Sequence, residues 1–284
     1  RFLLGSASLR TRDFAAAEKE LRRALEVNQP ADAVLPLLAQ AMTEVGQQEA
    51  LVKDFGYKKL DDAQAQATFQ AILGDAQLRL NDRAAAGRAY AAALQAKADY
   101  GPALLGQATL KAIDNDLDGA LAQVERIIAA SPKFARAHGF KSDLLLAKGD
   151  RVGARKALEA AIESDSNFLP ARLSLISLLT DEGEYDAAAK LLEDTRKQAR
   201  GDVRLSYLDA SLAFRRGDTT RAREQVQQVL KYLPDHVPSL VLAGAIELRD
   251  KQPTAAEINL RKAVARAPNH AGARQLLVQT YLRT

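Results

Sequence analysis

The sequence contains no cysteine and no tryptophan, and it has only 3 histidines and 1 methionine among 284 residues. Without cysteine there can be no disulfide framework, no thiolate metal site and no cysteine nucleophile. Three widely separated histidines leave little material for a histidine-rich metal centre. These absences exclude disulfide-stabilised scaffolds and thiol-dependent enzymes, and we expect neither a metal nor a cofactor.

Charge of one sign and long apolar runs are also scarce. Lys+Arg 40 against Asp+Glu 36 gives a net charge of +4, which is small for this length and indicates no nucleic-acid partner. The best apolar run, Leu240–Ile246, stops at Glu247, far short of the roughly 18 residues that a membrane helix needs. Because the chain begins at Arg1 and not at Met, we expect it to be a fragment of a longer protein.

The sequence does contain a repeat of 34 residues. Segments that align without a gap start at Ala67, Gly101, Ala135, Leu169, Val203 and Val237. The twentieth residue of every segment is alanine: Ala86, Ala120, Ala154, Ala188, Ala222 and Ala256. The twenty-fourth is always bulky and apolar: Tyr90, Val124, Leu158, Leu192, Val226 and Leu260. This register predicts a repeat architecture.

Each column of the repeat has a physical reason. Columns 20, 24 and 27 form one stripe of a helix, and a constant alanine there predicts that two helix backbones approach closely. Glycine occupies column 15 at Gly149, Gly183 and Gly217, where a left-handed residue would end a helix. Proline occupies column 2 at Pro102, Pro170 and Pro238, where a missing N–H is harmless. Each unit is therefore predicted to be two helices of about 13 residues.

The pattern of Leu73-Gly74, Ala86 and Tyr90 resembles the tetratricopeptide repeat. The resemblance implies an all-α fold class, a right-handed superhelical solenoid of antiparallel helix pairs forming a single domain over residues 1–284. We expect units at 1–31, 32–66 (irregular), 67–100, 101–134, 135–168, 169–202, 203–236 and 237–270, then a partial helix at 271–284. Within the irregular unit, residues 56–59 are predicted to be a loop after a shortened helix.

No catalytic motif is present: the sequence has no phosphate loop, dinucleotide fingerprint or nucleophile elbow, so we expect no enzyme within these residues. His236 and His270 share column 34 and are interpreted as solvated turn residues, whereas His138 is interpreted as a packed core imidazole. The carboxylates near Asp116 are interpreted as helix caps, since a calcium loop would need a glutamate that is missing.

Binding is the expected function. The resemblance implies that first helices line a concave surface, so their outward columns are the candidate partner contacts. Toward the C-terminus these columns give Arg204, Tyr207, Phe214, Arg215, Leu248, Arg249 and Arg283. Arginines and aromatics suit a protein, an extended peptide carrying carboxylates, or a polysaccharide. The alternative is a charged face that is merely solvated.

A narrower resemblance rests on the segments 35–41, 238–245 and 267–277. They are similar to the tetratricopeptide lipoprotein of bacterial exosortase (PEP-CTERM) systems. That resemblance implies a lipid-modified cysteine outside these residues, a periplasmic location anchored to the outer membrane, and a role beside protein sorting and exopolysaccharide export. The alternatives are a cytoplasmic co-chaperone-like peptide adaptor and the substrate-recruiting repeats of a larger enzyme.

Overall fold

The computed structural model describes residues 1–282, and within them it has seventeen α-helices and no strand. The helices are α1 Phe2–Arg10, α2 Phe14–Glu26, α3 Ala31–Glu44, α4 Gln48–Phe55, α5 Ala63–Arg79, α6 Arg83–Ala96, α7 Gly101–Ile113, α8 Leu117–Ala130, α9 Ala135–Ala147, α10 Arg151–Ser164, α11 Leu169–Glu182, α12 Tyr185–Gln198, α13 Val203–Arg216, α14 Thr219–Tyr232, α15 Val237–Arg249, α16 Pro253–Arg266 and α17 Ala271–Tyr281. The expected all-α class is confirmed for this part of the chain. Among these helices, none is long and apolar enough to cross a bilayer.

The chain divides into two compact units, one over Arg1–Leu144 and one that begins at Leu145. In both, the odd-numbered helices are the first members of helix pairs and the even-numbered helices are the second. In the second unit α11 packs on α12, α13 on α14 and α15 on α16. Each first helix of this unit also contacts the next first helix, as α11 contacts α13. Each pair therefore buries its apolar stripe against its neighbours.

The alanines of column 20 lie inside this packing. All six have no exposed surface, as the repeat register predicted. The bulky residues of column 24 are also buried: Tyr90, Val124, Leu158, Leu192, Val226 and Leu260. A methyl group at column 20 lets two helices approach, and the large side chain one turn later fills the space beyond it.

The turn between paired helices has one conformation in all six regular units. Gly149, Gly183 and Gly217 have φ values of 83°, 81° and 90°, which confirms the predicted left-handed position. In the other three units the same column is also left-handed, at Asn81, Asn115 and Lys251. The column-2 prolines lie in the first turns of α7, α11 and α15, as expected.

The irregular second unit has a short second helix, α4, of 8 residues. The loop after it ends at Asp62, whose carboxylate accepts a hydrogen bond of 2.7 Å from the Ala65 amide. Asp32 holds this loop by accepting from the amides of Asp61 and Asp62. Because Asp62 caps the helix, α5 begins at Ala63, before the repeat register restarts at Ala67.

Ala86→Leu tests the close approach at column 20. Ala86 is fully buried on α6, so the larger side chain should overpack the contact and lower the free energy of unfolding by about 1–3 kcal/mol. The matched control is Ala91→Leu on the same helix, because Ala91 is exposed. Guanidinium unfolding followed by circular dichroism measures both, and equal effects would contradict the packing role.

Candidate partner-binding surface

Three contacts join consecutive first helices of the second unit. Asp181 at the end of α11 pairs with Arg215 of α13 at 3.1 Å. Phe214 of α13 lies under Arg249 of α15, and Tyr207 of α13 meets the ring of the residue that precedes α15. We call the surface formed by Asp181, Tyr207, Phe214, Arg215 and Arg249, together with Arg204 at the start of α13, the first-helix face.

Arg249 is held on this face by both the ring and the carbonyl oxygen of Phe214. Its guanidinium carbon lies 3.7 Å from the centroid of the Phe214 ring, and its Nη1 donates a 2.6 Å hydrogen bond to the Phe214 carbonyl oxygen. A stacked guanidinium keeps its remaining N–H groups directed outward in a fixed plane. The stack therefore prepares Arg249 to receive a planar acceptor, and it covers one face of Phe214.

The other two arginines of the face are already paired. Arg215 donates to Asp181, and Arg204 donates to Asp202 from Nε at 2.9 Å and from Nη2 at 2.6 Å. The hydrogen bonds that Arg204 donates to Asp202 raise the pKa of Arg204. Because both positive charges have a carboxylate beside them, the face is less basic than the sequence suggested.

Tyr207 contributes the aromatic edge of the face. Its ring meets His236 edge-on, with centroids 5.6 Å apart and the planes at 86°. Burial, and then the negative charge of Asp181, raises the pKa of Tyr207. Burial lowers the pKa of His236, whose Nδ1 lies 2.8 Å from the Ser239 hydroxyl. His236 thus packs against Tyr207 and Ser239, which corrects its interpretation as a solvated turn residue.

Family models place this architecture among known repeats. A model described as tetratricopeptide repeat matches residues 145–212, and a second model of the same description matches 105–167 and 207–271. Together they cover 105–271 without a gap, more than half of the chain. The chain is a tetratricopeptide-repeat protein. The predicted repeat family is confirmed.

Two curated proteins contain segments similar to part of this chain. "Cellulose synthase operon protein C" of Xanthomonas axonopodis pv. citri (strain 306) is 39% identical over 74 residues, 26% of this chain and 5% of the relative. "Protein CTR9 homolog" of Arabidopsis thaliana is 27% identical over 127 residues, 44% of this chain and 11% of the relative. The matched parts of the chain thus span only a small fraction of the curated relatives.

A solved structure shares the fold. A chain in the crystal structure of the APC/C hetero-tetramer Cut9-Hcn1 superposes with a TM-score of 0.71 at 17% sequence identity. The superposition covers 94% of this chain and 52% of that chain. It supports the tetratricopeptide fold across nearly all of the described residues.

Two of the sequence-predicted contacts do not belong to the first-helix face as described. Leu248 is only 5% exposed and packs with Ala256 and Leu260 of α16, so it is a core residue. Leu248 lies near the end of α15, where the chain turns back and α16 covers this side chain. This corrects the expectation for Leu248. Arg283 lies outside the described residues.

Sequence reasoning missed a buried carboxylate on α13. Asp209 is 2% exposed and accepts hydrogen bonds from Arg196 Nη2 at 2.9 Å and from Arg221 Nε and Nη2 at 2.9 and 3.1 Å. The hydrogen bonds that Arg221 donates to Asp209 raise the pKa of Arg221. The units on either side carry Leu175 and Ala243 in the same column 7, but Gln107 and Lys141 occupy it in two earlier units, so the column gave no clear signal.

The remaining polar candidates stabilise helix ends. Asp116 accepts from the Gly119 amide at 2.9 Å, which confirms its interpretation as a cap. His270 Nδ1 accepts from the Ala273 amide at 3.1 Å, so this histidine also caps a helix. His138 is partly exposed and its Nε2 lies 2.8 Å from the Pro132 carbonyl oxygen, which corrects its interpretation as a core residue. Within residues 1–282, no group of three or more metal-ligating side chains is present.

Proposed function

We propose that the chain is a non-enzymatic scaffold that binds an extended peptide along the first-helix face. The tetratricopeptide repeats fit a protein-interaction role. The observation that carries the proposal is the stack of Arg249 on Phe214, beside the half-buried Tyr207. A fixed arginine flanked by aromatic side chains is the composition typical of binding hot spots, which combine rigid apolar area with a directed charge.

The stack also favours a peptide over a polysaccharide. Sugar rings bind to open aromatic faces, whereas Arg249 covers a face of Phe214 and leaves its outward N–H groups for an oxygen acceptor. Carboxylates and backbone carbonyls of a peptide supply such acceptors. We therefore propose a protein partner, with polysaccharide export as a process that the partner serves.

We propose a bacterial cell-envelope setting for this scaffold, held by a lipid anchor outside the residues described here. Support comes from the similarity of segments 35–41, 238–245 and 267–277 to exosortase-associated lipoproteins, and from the similarity of a 74-residue segment to "Cellulose synthase operon protein C". Mass spectrometry of the mature full-length protein tests the setting. A diacylated N-terminal cysteine would support it, whereas an unprocessed cytoplasmic N-terminus would favour a co-chaperone-like adaptor.

Tyr207→Ala combined with Arg249→Ala tests the binding face. Twelve-residue peptides selected on the wild-type chain by phage display should lose about tenfold or more in affinity, because both hot-spot side chains are removed. Arg249 is chosen over Arg215 because removing Arg215 would leave Asp181 without its ion-pair partner. Isothermal titration measures the affinity, and circular dichroism verifies that helicity is unchanged.

The matched control is Tyr232→Ala with Arg266→Ala, which removes the same side-chain types from exposed positions on second helices. Its affinity should equal that of the wild type. Selected peptides that bind the first variant as tightly as the wild type would rule out the first-helix face as the binding surface.

A further inference from the structure

A groove lies between the second helices α12 and α14, and none of its lining residues belongs to the first-helix face. Its volume is about 400 Å³, a size typical of ligand sites. Ala189 and Leu192 of α12, with Leu212 and Ala213 of α13, supply its apolar lining. The groove is thus wide enough for a few side chains and is apolar at its base.

Asp209 holds two arginines at this groove in fixed orientations. It lies almost fully buried on α13, and Arg196 of α12 and Arg221 of α14 converge on it from opposite sides. Each guanidinium has more N–H donors than Asp209 uses, and each side chain is about half exposed. One buried carboxylate therefore orients two cations whose unused donors face the solvent side of the groove.

A third arginine at the groove is easily released. Arg216 Nη2 lies 2.5 Å from Asp186, a carboxylate that is fully exposed. An exposed ion pair of this kind contributes little, so an incoming anion can replace Asp186 at low cost. The groove therefore presents three guanidinium groups, of which two are immobilised and one is exchangeable.

The acidic residues at the groove limit the charge of the ligand. Glu193 and Asp218 also line it, and with Asp209 they balance the three arginines. Glu193 is paired with Lys197, and Asp218 caps α14 through the Arg221 amide. A ligand with two negative charges would be repelled by these carboxylates. A single carboxylate carries one negative charge, which the guanidinium groups can bind.

We propose that this groove binds a protein segment that carries one carboxylate side chain flanked by aliphatic residues. The carboxylate bridges Arg196, Arg216 and Arg221, and the aliphatic neighbours cover Leu192 and Leu212. The site is separate from the first-helix face and does not depend on the function proposed for that face.

Titration of the isotope-labelled 284-residue chain, followed by amide NMR shifts, tests the proposal. The probe is a capped pentapeptide with one glutamate between two leucines, beside a glutamine version, a phosphoserine version and free butyrate. Shifts should localise to α12, α13 and α14. The glutamate peptide should bind about tenfold more tightly than the glutamine peptide, because charge-assisted hydrogen bonds are lost. The phosphoserine peptide and butyrate should both bind more weakly.

Three variants separate binding from folding. Arg216→Gln should weaken binding of the glutamate peptide by about tenfold. The stability of the protein should not change, since the ion pair that is lost is the one with the exposed Asp186. The combination Arg196→Met, Arg221→Met and Asp209→Leu removes the ion cluster around Asp209 without leaving an unpaired buried charge. It should abolish the amide shifts that the glutamate peptide causes. The matched control Arg223→Gln, which removes the same charge from α14, should leave binding unchanged.

Several results would overturn the proposal. Equal binding of the glutamate and glutamine peptides would show that the groove does not recognise the carboxylate. Tighter binding of the phosphoserine peptide or of butyrate would show that the ligand belongs to another chemical class. Shifts that vanish in Tyr207→Ala with Arg249→Ala but persist in Arg216→Gln would place the peptide on the first-helix face. That last result would reject this groove while leaving the proposed function intact.

Discussion

Replacing Arg196 and Arg221 together by methionine is expected to lower the free energy of unfolding by about 3–5 kcal/mol. The two methionines would keep Asp209 covered, so its carboxylate would stay buried without either of its present partners. An unpaired buried charge is among the most destabilising changes that substitutions produce. Guanidinium unfolding measures the loss, and hydrogen exchange should place it in α12, α13 and α14.

Adding Asp209→Leu to this double variant provides the control. Leucine occupies the same column one unit earlier, at Leu175, where it is buried in the core. Because an apolar replacement of the whole ion cluster removes the stranded charge, most of the lost stability should return. A double variant as stable as the wild type would contradict the role of Arg196 and Arg221 in pairing the buried Asp209 carboxylate. A triple variant that is no more stable than the double variant would contradict it as well.

Tyr90→Ala should produce a loss of similar size in the first unit, about 3–5 kcal/mol. Tyr90 is fully buried, and its ring lies against Gly74 and Gly106, where an added Cβ would overlap it. Its hydroxyl donates a 2.7 Å hydrogen bond to Asp75, and burial together with Asp75 raises the pKa of Tyr90. Alanine would leave a large cavity between three helices that two glycines have shaped around an aromatic ring.

Tyr90→Phe is the matched control, because it keeps the ring and removes only the hydroxyl. Its cost should be about 1 kcal/mol, since Asp75 is partly exposed and can bind water instead. Stability in stacked repeats is carried by nearest-neighbour contacts, so the loss in Tyr90→Ala should appear as reduced exchange protection in α5, α6 and α7. Equal effects of alanine and phenylalanine would mean that the ring does not fill this space.

Much of the fold could be predicted because the repeat samples each contact several times. One buried alanine says little, but alanine in column 20 of six units identifies a close approach of helices, and Ala154 and Ala222 are both fully buried. Glycine at column 15 predicted the left-handed turn in the same way. The left-handed turn at Lys251 was missed because its residue type does not favour that conformation.

The candidate surface was harder to predict, because a column number gives a helix face but not the side chain that covers it. Arg249 and Phe214 lie 35 residues apart, and only the packing of α15 on α13 brings them together. Leu248 was assigned to the surface although the next helix buries it. Asp209 stands between two apolar residues of its column, Leu175 and Ala243, but Gln107 and Lys141 occupy the same column, so the column alone did not identify the groove between α12 and α14.

Site-specific photo-cross-linking tests the central claim most directly. The full chain would carry p-benzoylphenylalanine at Ser211, which lies on α13 between Tyr207 and Phe214 of the first-helix face, or at Arg261, which is exposed on the second helix α16. Each variant would be irradiated with a phage-selected peptide, and the adducts would be mapped by mass spectrometry. The scaffold function predicts adducts from position 211 and none from position 261, whereas adducts from position 261 alone would contradict it.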